Sequence, residues 1–374
     1  MKKPFVKGGK ALTLAAALLC GAAFLGSFTA FGAAAQAESQ AGAQAEAQVF
    51  TPGVAGQITS CKISGDKQNV EIGFSSSGDV TGTDGNIYVF EMQPYEEELG
   101  SRSNFIASSP ALSAASVSVP LNLGTPQDKL YSRFVLAVFD GTKFIKVSQP
   151  HYITNPELIA KNQTPFNDPL TKKDLVIEID MLSDAFDLGV KHVTTNIAFS
   201  QIMGTGIDYQ YDGKTYHFNK GVVDAYDKTI SALSNKGMTV TVILLNDWNP
   251  NTPDLVYPGT QKNSNAFYYM FNAETEAGFD QTKAIASFLA QHYSGDNPNY
   301  GKVSNWIIGN EINNQQWNYM GPMDLTNYVK AYQKAFRVIY TAIKSTNAND
   351  RVYFSLDYNW MNEIDGKLKY GVAM

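Results

Sequence analysis

The sequence has little charge and almost no cysteine. Only 17% of its 374 residues are charged, whereas 44% are hydrophobic and 12% aromatic. This balance excludes a disordered or fibrous chain, because such chains lack the apolar content to build a core. There are two cysteines, and Cys20 lies in an N-terminal apolar stretch, which leaves Cys61 alone in the rest of the chain. An intramolecular disulfide and a thiolate metal cluster are thereby excluded, and Cys61, in a strand-like apolar context, reads as a small buried hydrophobe. His151, His192, His217 and His292 lack metal-ligand spacing. No GxSxG elbow is present, and Gly204-Thr205-Gly206 is short of the third glycine of a dinucleotide fingerprint. Asp208 to Asn219 shares only Asp208, Asp212 and Gly213 with a calcium loop and reads instead as a hairpin. No metal and no cofactor is implied.

The N-terminus differs in texture. Lys2, Lys3, Lys7 and Lys10 precede an Ala/Leu/Gly/Phe stretch ending in Ala35-Gln36-Ala37. Residues 1–37 read as a secretory signal peptide cleaved before Glu38, in preference to a retained membrane anchor or a lipidated Cys20. Removing its four lysines from the 29 basic residues leaves 25 against 35 acidic ones. A nucleic-acid partner calls for the opposite balance. The expectation is a secreted or cell-surface protein with no membrane contact after cleavage and no nucleic acid; its oligomeric state is open.

Residues 38–48 are small and polar and read as a flexible tether. From 49 to 149 the pattern is β. Gln57 to Ile63 and Asn69 to Ser75 alternate around Ser64-Gly65-Asp66. Asn86 to Met92 and Ser116 to Leu123 follow, and Arg133 to Phe139 and Thr142 to Val147 flank Asp140-Gly141. Short strands without a helical period predict an antiparallel β-sandwich.

From residue 150 to 374 helices and strands alternate. Helices are predicted over Asp174 to Asp187, Gly221 to Asn235, Glu276 to Tyr293 and Leu325 to Lys344. The strands after them are His192 to Phe199, Met238 to Leu245, Val303 to Ile308 and Arg351 to Leu356. Repeated helix-then-strand units predict a parallel sheet, whose sites form at the carboxyl ends of its strands. The loops there are long and aromatic, and they or their neighbours carry all four tryptophans, Trp248, Trp306, Trp317 and Trp360. Tryptophan suits stacking on sugar rings and equally suits packing.

The segment Ser304 to Trp317, SNWIIGNEINNQQW, delivers Asn310 and Glu311 directly from an apolar strand. An Asn-Glu pair alone is uninformative, since Asn362-Glu363 is another. A carboxyl group at a strand end among aromatics, however, can be desolvated enough to hold its proton near neutral pH, as a general acid must. Asp247 and Asp357, also at strand ends, are candidate substrate-positioning or proton-affinity-tuning neighbours. Asn196, Asn246 and Trp248 join the cleft candidates by position.

Strand, Gly-Asn-Glu, then aromatics resembles the fourth-strand signature of retaining (β/α)8-barrel glycoside hydrolases. The segments YQYDGKTYHFN, VTVILLND and WIIGNEIN, behind a β-sandwich, are also similar to an uncharacterised family of secreted bacterial proteins in that superfamily. The resemblance, over about residues 150 to 374, implies that Glu311 is the acid/base and that Asn310 contacts the sugar 2-hydroxyl. Four strands are visible, so Glu311 ends the third unless a short first strand lies between His151 and Thr171. The superfamily's nucleophile, a second glutamate ending strand seven, has no match. After 149 residues of leader, tether and sandwich, 225 of the 374 remain, against about 250 for a barrel. Long loops reduce what fits to an incomplete (β/α)8 TIM-type barrel, and the chain reads as C-terminally truncated. The function expected is glycoside hydrolysis or polysaccharide binding; a non-catalytic carbohydrate-binding or cell-surface protein is the alternative, and an envelope structural protein a third.

Overall fold

The computed structural model describes residues 56–76, 82–178, 181–362 and 369–370. The expected signal peptide, the tether and Glu363 lie outside the described residues. Strand β1 (Gly56–Ile63) buries Ile58, Cys61 and Ile63. The odd step between Ile58 and Cys61 is made by a register shift between Ile58 and Ser60, where the extra residue Thr59 restores the inward alternation. β2 (Asn69–Ser76) follows, then β3 (Asn86–Met92), β4 (Ala107–Pro110), β5 (Ala115–Pro120), β6 (Arg133–Phe139), β7 (Phe144–Lys146) and β8 (His151–Tyr152). All pairings among them are antiparallel: one sheet is ordered β1-β2-β5, the other β4-β3-β6-β7, with β8 also on β6. Ile58, Ile72 and Phe74 of the first share a buried core with Ile87, Val89, Phe134 and Leu136 of the second. β4 and β8 went unpredicted because four and two residues are too few for a period to register.

The chain then runs through β9 (Asp174–Val176), α1 (Leu182–Asp187), β10 (His192–Ala198), α2 (Phe199–Ile202) and a hairpin of β11 (Gly206–Tyr211) and β12 (Lys214–Asn219). After it come α3 (Lys220–Ser234), β13 (Thr239–Leu245), α4 (Glu276–His292), β14 (Asn305–Ile308), α5 (Leu325–Thr346) and β15 (Arg351–Tyr353). Asp212-Gly213 forms the hairpin turn, with both residues at positive φ. Side-chain caps start the long helices: Asn219 accepts from Val222 N–H at 3.2 Å, Thr275 from Gly278 N–H at 3.1 Å and Asp324 from Asn327 N–H at 3.0 Å.

β9, β10, β13, β14 and β15 lie side by side in chain order, all parallel. One correction changes the count. The segment from Asp174 to Asp187, predicted as a single helix, begins as β9, and helix is confined to Leu182–Asp187. Leu175 and Val176 pair with Val193 and Thr194, so the sheet edge overrides the local helical period. The extra strand lies at 174–176, just beyond the 151–171 window, and it makes β14 the fourth of five.

One face of this sheet is apolar apart from the buried Thr195. Val193, Ile197, Val240, Val242, Leu244, Trp306 and Ile308 join Ile285 and Leu289 of α4 and Ala335 and Ile339 of α5 in one core. The other face is mixed and partly open: Asn305 Nδ2 donates to Thr241 Oγ1 at 3.1 Å, and Val176 and Tyr353 are exposed. Lys334, buried on α5, pairs with Glu97 from the loop after β3 and with Glu274. Among the described residues no helix is long and apolar enough to cross a membrane.

Candidate functional site

The carboxyl ends of the five parallel strands gather four of the nine candidate residues into two clusters. The first forms where β14 leaves the sheet. Gly309 turns the chain at φ +73°, and a Cβ there would lie 2.9 Å from Ile312 Cγ2. Glu311 follows with φ +44°, a left-handed conformation that disfavours side chains with a Cβ. Its N–H donates to Ser355 Oγ at 2.9 Å, and Ile312 N–H donates to the Ser355 carbonyl at 3.0 Å. Ser355 Oγ also stands 3.5 Å from Asn310 Oδ1. The Glu311 carboxyl is half-buried and makes no hydrogen bond or ion pair among the described residues. Burial, and then the nearby Asp357 carboxylate, push it above the usual carboxylate range, while Lys369 offsets part of the rise.

Asp357 itself is buried and fully engaged. Its Oδ2 lies 2.5 Å from Lys369 Nζ, and its Oδ1 accepts from Asn313 Nδ2 and from Asn359 N–H, both at 3.2 Å. Burial opposes its ionisation, but the bonds from Lys369 and Asn313 prevail and hold its carboxyl below the ordinary range. It therefore faces Glu311 as a charged, occupied neighbour. Lys369 and Tyr370 are held in turn: Tyr370 N–H donates to Asn313 O at 2.9 Å, and Gln315 Nε2 to the Tyr370 hydroxyl at 2.9 Å.

The second cluster lies at the ends of β9, β10 and β13. Asp247 accepts from Gln201 Nε2 at 2.6 Å, and its N–H donates to Ser200 Oγ at 3.2 Å. Burial raises its carboxyl, and Gln201 offsets part of the effect. Burial above all, with Asp247 and Glu178 adding, lifts the Tyr226 hydroxyl to about 12 and Tyr268 above its ordinary value. Both carboxyls thus act on the two hydroxyls. The electrostatic partners of Glu311, by contrast, are Asp357 and Lys369.

An aromatic wall joins the two clusters. Tyr268 and Phe267 lie with ring centroids 6.2 and 4.8 Å from Trp317, and Trp248 packs on Tyr269 at 5.3 Å. The wall stands on paired loops. Phe267 N–H donates to Gln316 O at 2.7 Å, Met270 N–H to Tyr319 O at 2.9 Å and Tyr319 N–H to Tyr268 O at 2.9 Å.

The remaining candidates are scattered. Asn196 is half-buried on the mixed face of β10, level with Ile243 of β13, and its side chain has no hydrogen-bond partner among the described residues. Asn246 is buried, and its amide donates to Leu255 O at 2.8 Å, which anchors the loop after β13. Trp360 is half-buried in a turn after β15, with no ring contact to the wall among the described residues.

Sequence reasoning missed Ser355, Asn313, Lys369, Gln201, Tyr226, Tyr268 and Glu178. Three of these carried a usable signal. Gln201 lies three residues past the end of β10, Glu178 two past β9 and Ser355 two past β15, positions that a strand-end rule selects once those strand bounds are recognised.

Five sequential parallel strands with connecting helices define an α/β protein, with long loops gathered where its strands end. Residues 165–373 match the model of a family described as a family of unknown function, DUF5722, and the chain belongs to that family. Among solved structures, the β-glycosidase from the hyperthermophile Thermosphaera aggregans is similar at 14% identity and a TM-score of 0.31, over 49% of this chain and 44% of that one. The endo-β-1,4-mannanase from Thermotoga petrophila gives 16% and 0.33, over 55% and 45%. The family 1 β-glucosidase from Thermotoga maritima gives 18% and 0.32, over 50% and 38%. The chain thus spans less than half the length of each. No curated protein matches the chain.

Proposed function

We propose that this chain carries the proton-transfer side of a secreted glycoside-hydrolase site that acts on a polysaccharide. In this reading the two antiparallel sheets are a β-sandwich over residues 49–149. The parallel strands are the first five of a (β/α)8 barrel over 150–374. Glu311 is the acid/base, Asn310 contacts the sugar 2-hydroxyl, and Trp248, Tyr268 and Trp317 form the stacking wall.

The observation that carries the proposal is the place of Glu311. It ends the fourth sequential parallel strand, the position at which the Gly-Asn-Glu resemblance puts the acid/base. Its carboxyl is half-buried, makes no bond of its own among the described residues and has raised proton affinity. Such a group stays protonated closer to neutral pH than an exposed glutamate and can protonate a leaving glycosidic oxygen.

The test is release of reducing ends from a panel of soluble polysaccharides by the wild type and by Glu311→Gln. Release by the wild type and a loss of about a hundredfold or more in the variant are expected, with polysaccharide affinity kept. Equal release by both removes the assignment.

One observation favours a second reading, a carbohydrate-binding protein on the same scaffold. Glycoside hydrolysis ordinarily uses two carboxyl groups across the scissile bond, about 5 Å apart for retention. The carboxylate that acts on Glu311, Asp357, is tied to Lys369. Saturable polysaccharide binding with no released ends is the outcome that selects this reading.

A further inference from the structure

We infer that Ser355 is the positioning residue for Glu311: its hydroxyl and carbonyl together hold the turn that aims the Glu311 carboxyl. The inference rests on the reading of Glu311 as the functional carboxyl. β14 ends at Ile308, Gly309 N–H still donates to Leu244 O of β13 at 2.9 Å, and the N–H groups of Glu311 and Ile312 beyond it need partners from elsewhere. Ser355, two residues past the end of β15, supplies both. Its Oγ accepts from Glu311 N–H at 2.9 Å and its carbonyl accepts from Ile312 N–H at 3.0 Å. The residue between these bonds and Gly309 is Asn310, whose Oδ1 lies 3.5 Å from the same hydroxyl.

The backbone conformation explains why a clamp is needed. Glu311 sits at φ +44°, where a residue with a Cβ stays only if its surroundings fix it. Gly309, at φ +73°, meets the tight turn with glycine's freedom; Glu311 has a side chain that function requires and meets it with an external acceptor. Released from that acceptor, the turn relaxes toward an ordinary φ and the carboxyl swings to a more hydrated position. Its proton affinity then falls, because burial is the first cause of its rise. Asp357 and Lys369 are the charged groups that face it. Neither touches Ser355 among the bonds described, so their contribution changes through the movement of Glu311 alone.

The two bonds to Ser355 differ in a way that makes the idea testable. One needs the side chain; the other needs only the backbone carbonyl. In Ser355→Ala, amide hydrogen exchange at Glu311 is expected to accelerate about tenfold, the effect of losing one hydrogen bond, while Ile312 stays as in the wild type. Labelling of Glu311 by a water-soluble carbodiimide with glycine ethyl ester, followed by peptide mass spectrometry across pH, reads its titration. The midpoint should fall by about half a unit, and Ser355→Thr, which keeps the hydroxyl, should restore both readouts. If the alanine variant does not fold, Ser355→Cys, of similar volume and weaker acceptor strength, carries the same comparison. Unchanged exchange at Glu311, equal acceleration at Ile312 or an unmoved midpoint overturns the inference. Neither readout needs turnover, so a failure here is distinct from a failure of the hydrolase reading.

Discussion

Lys369 Nζ lies 2.5 Å from Asp357 Oδ2 in a pair whose side chains are only 6% and 3% exposed, beside the Glu311 carboxyl. The two charges act on Glu311 with opposite signs: Asp357 raises its proton affinity and Lys369 lowers it. Removing either should therefore shift Glu311 in a defined direction. Asp357→Asn should lower the Glu311 midpoint, and Lys369→Met should raise it. Lys369→Met also leaves a buried carboxylate without its cation, at a cost of about 3 kcal/mol or more. Carboxyl NMR titration and urea unfolding measure the two effects; midpoints moving in the same direction would refute the arrangement.

Asp350 supplies a pH signature at the opposite end of the parallel sheet, just before β15 begins. It is buried at the start of β15, accepts from the Trp306 indole at 2.9 Å, and burial pushes its carboxyl up to about 7, well above the usual carboxylate range. The folded protein therefore holds this proton over a range in which the unfolded chain has lost it. Stability from this group is fully present below about pH 4, falls as pH rises toward 7 and is flat above. At about 1.4 kcal/mol per unit the swing is on the order of 4 kcal/mol. Asp350→Asn keeps an acceptor for Trp306 and should be the more stable protein near pH 8, with no such advantage near pH 4. Urea midpoints at both pH values decide it.

Gly301 permits a close approach before β14. It has φ +80°, and a Cβ there would lie 2.6 Å from Ser231 Cα and 2.8 Å from Ser231 N on α3. Backbone atoms cannot turn aside as a side chain can. Gly301→Ala should cost about 2 kcal/mol or more, whereas Gly65→Ala, with open space around its Cβ position, should be nearly silent. Comparable melting temperatures for the two would show that α3 yields.

Lys334 joins the antiparallel sheets to the α/β part. It is 7% exposed on α5 and pairs with Glu97 and Glu274. Lys334→Met keeps the apolar stem and removes the charge, leaving the half-buried Glu274 without its partner. We expect a loss of about 2 kcal/mol together with faster proteolysis between the two parts. A variant as stable as the wild type would mean that apolar contacts such as Tyr95 on Phe279, centroids 5.6 Å apart, hold this junction unaided.

Long periodic elements were legible in the sequence, and contacts between distant segments were not. The turn signals Asp84-Gly85 before Asn86 to Met92 and Asp140-Gly141 after Arg133 to Phe139 gave strands with the same bounds, and the amphipathic pattern stopping at Gly237 placed α3 within one residue. β9 was hidden because three residues cannot outvote the helical pattern after them; only the neighbouring β10 selects their conformation. The site divides along the same line. Glu311, Asn310 and Asp357 could be picked by their place at strand ends. Ser355 and Lys369 matter through partners 44 residues and 12 residues away, and no local rule links such positions.

The paired loops bearing Phe267, Tyr268 and Trp317 have a consequence for binding thermodynamics. Main-chain bonds couple the loop after β13 to the loop after β14, so neither can close over a ligand independently of the other. Under the proposed function, a sugar ring docking on this wall would meet side chains whose backbone is already ordered, the entropy of arranging them having been lost when the chain folded. Affinity at the wall should therefore respond weakly to temperature-dependent loop ordering, in the manner of a preformed surface.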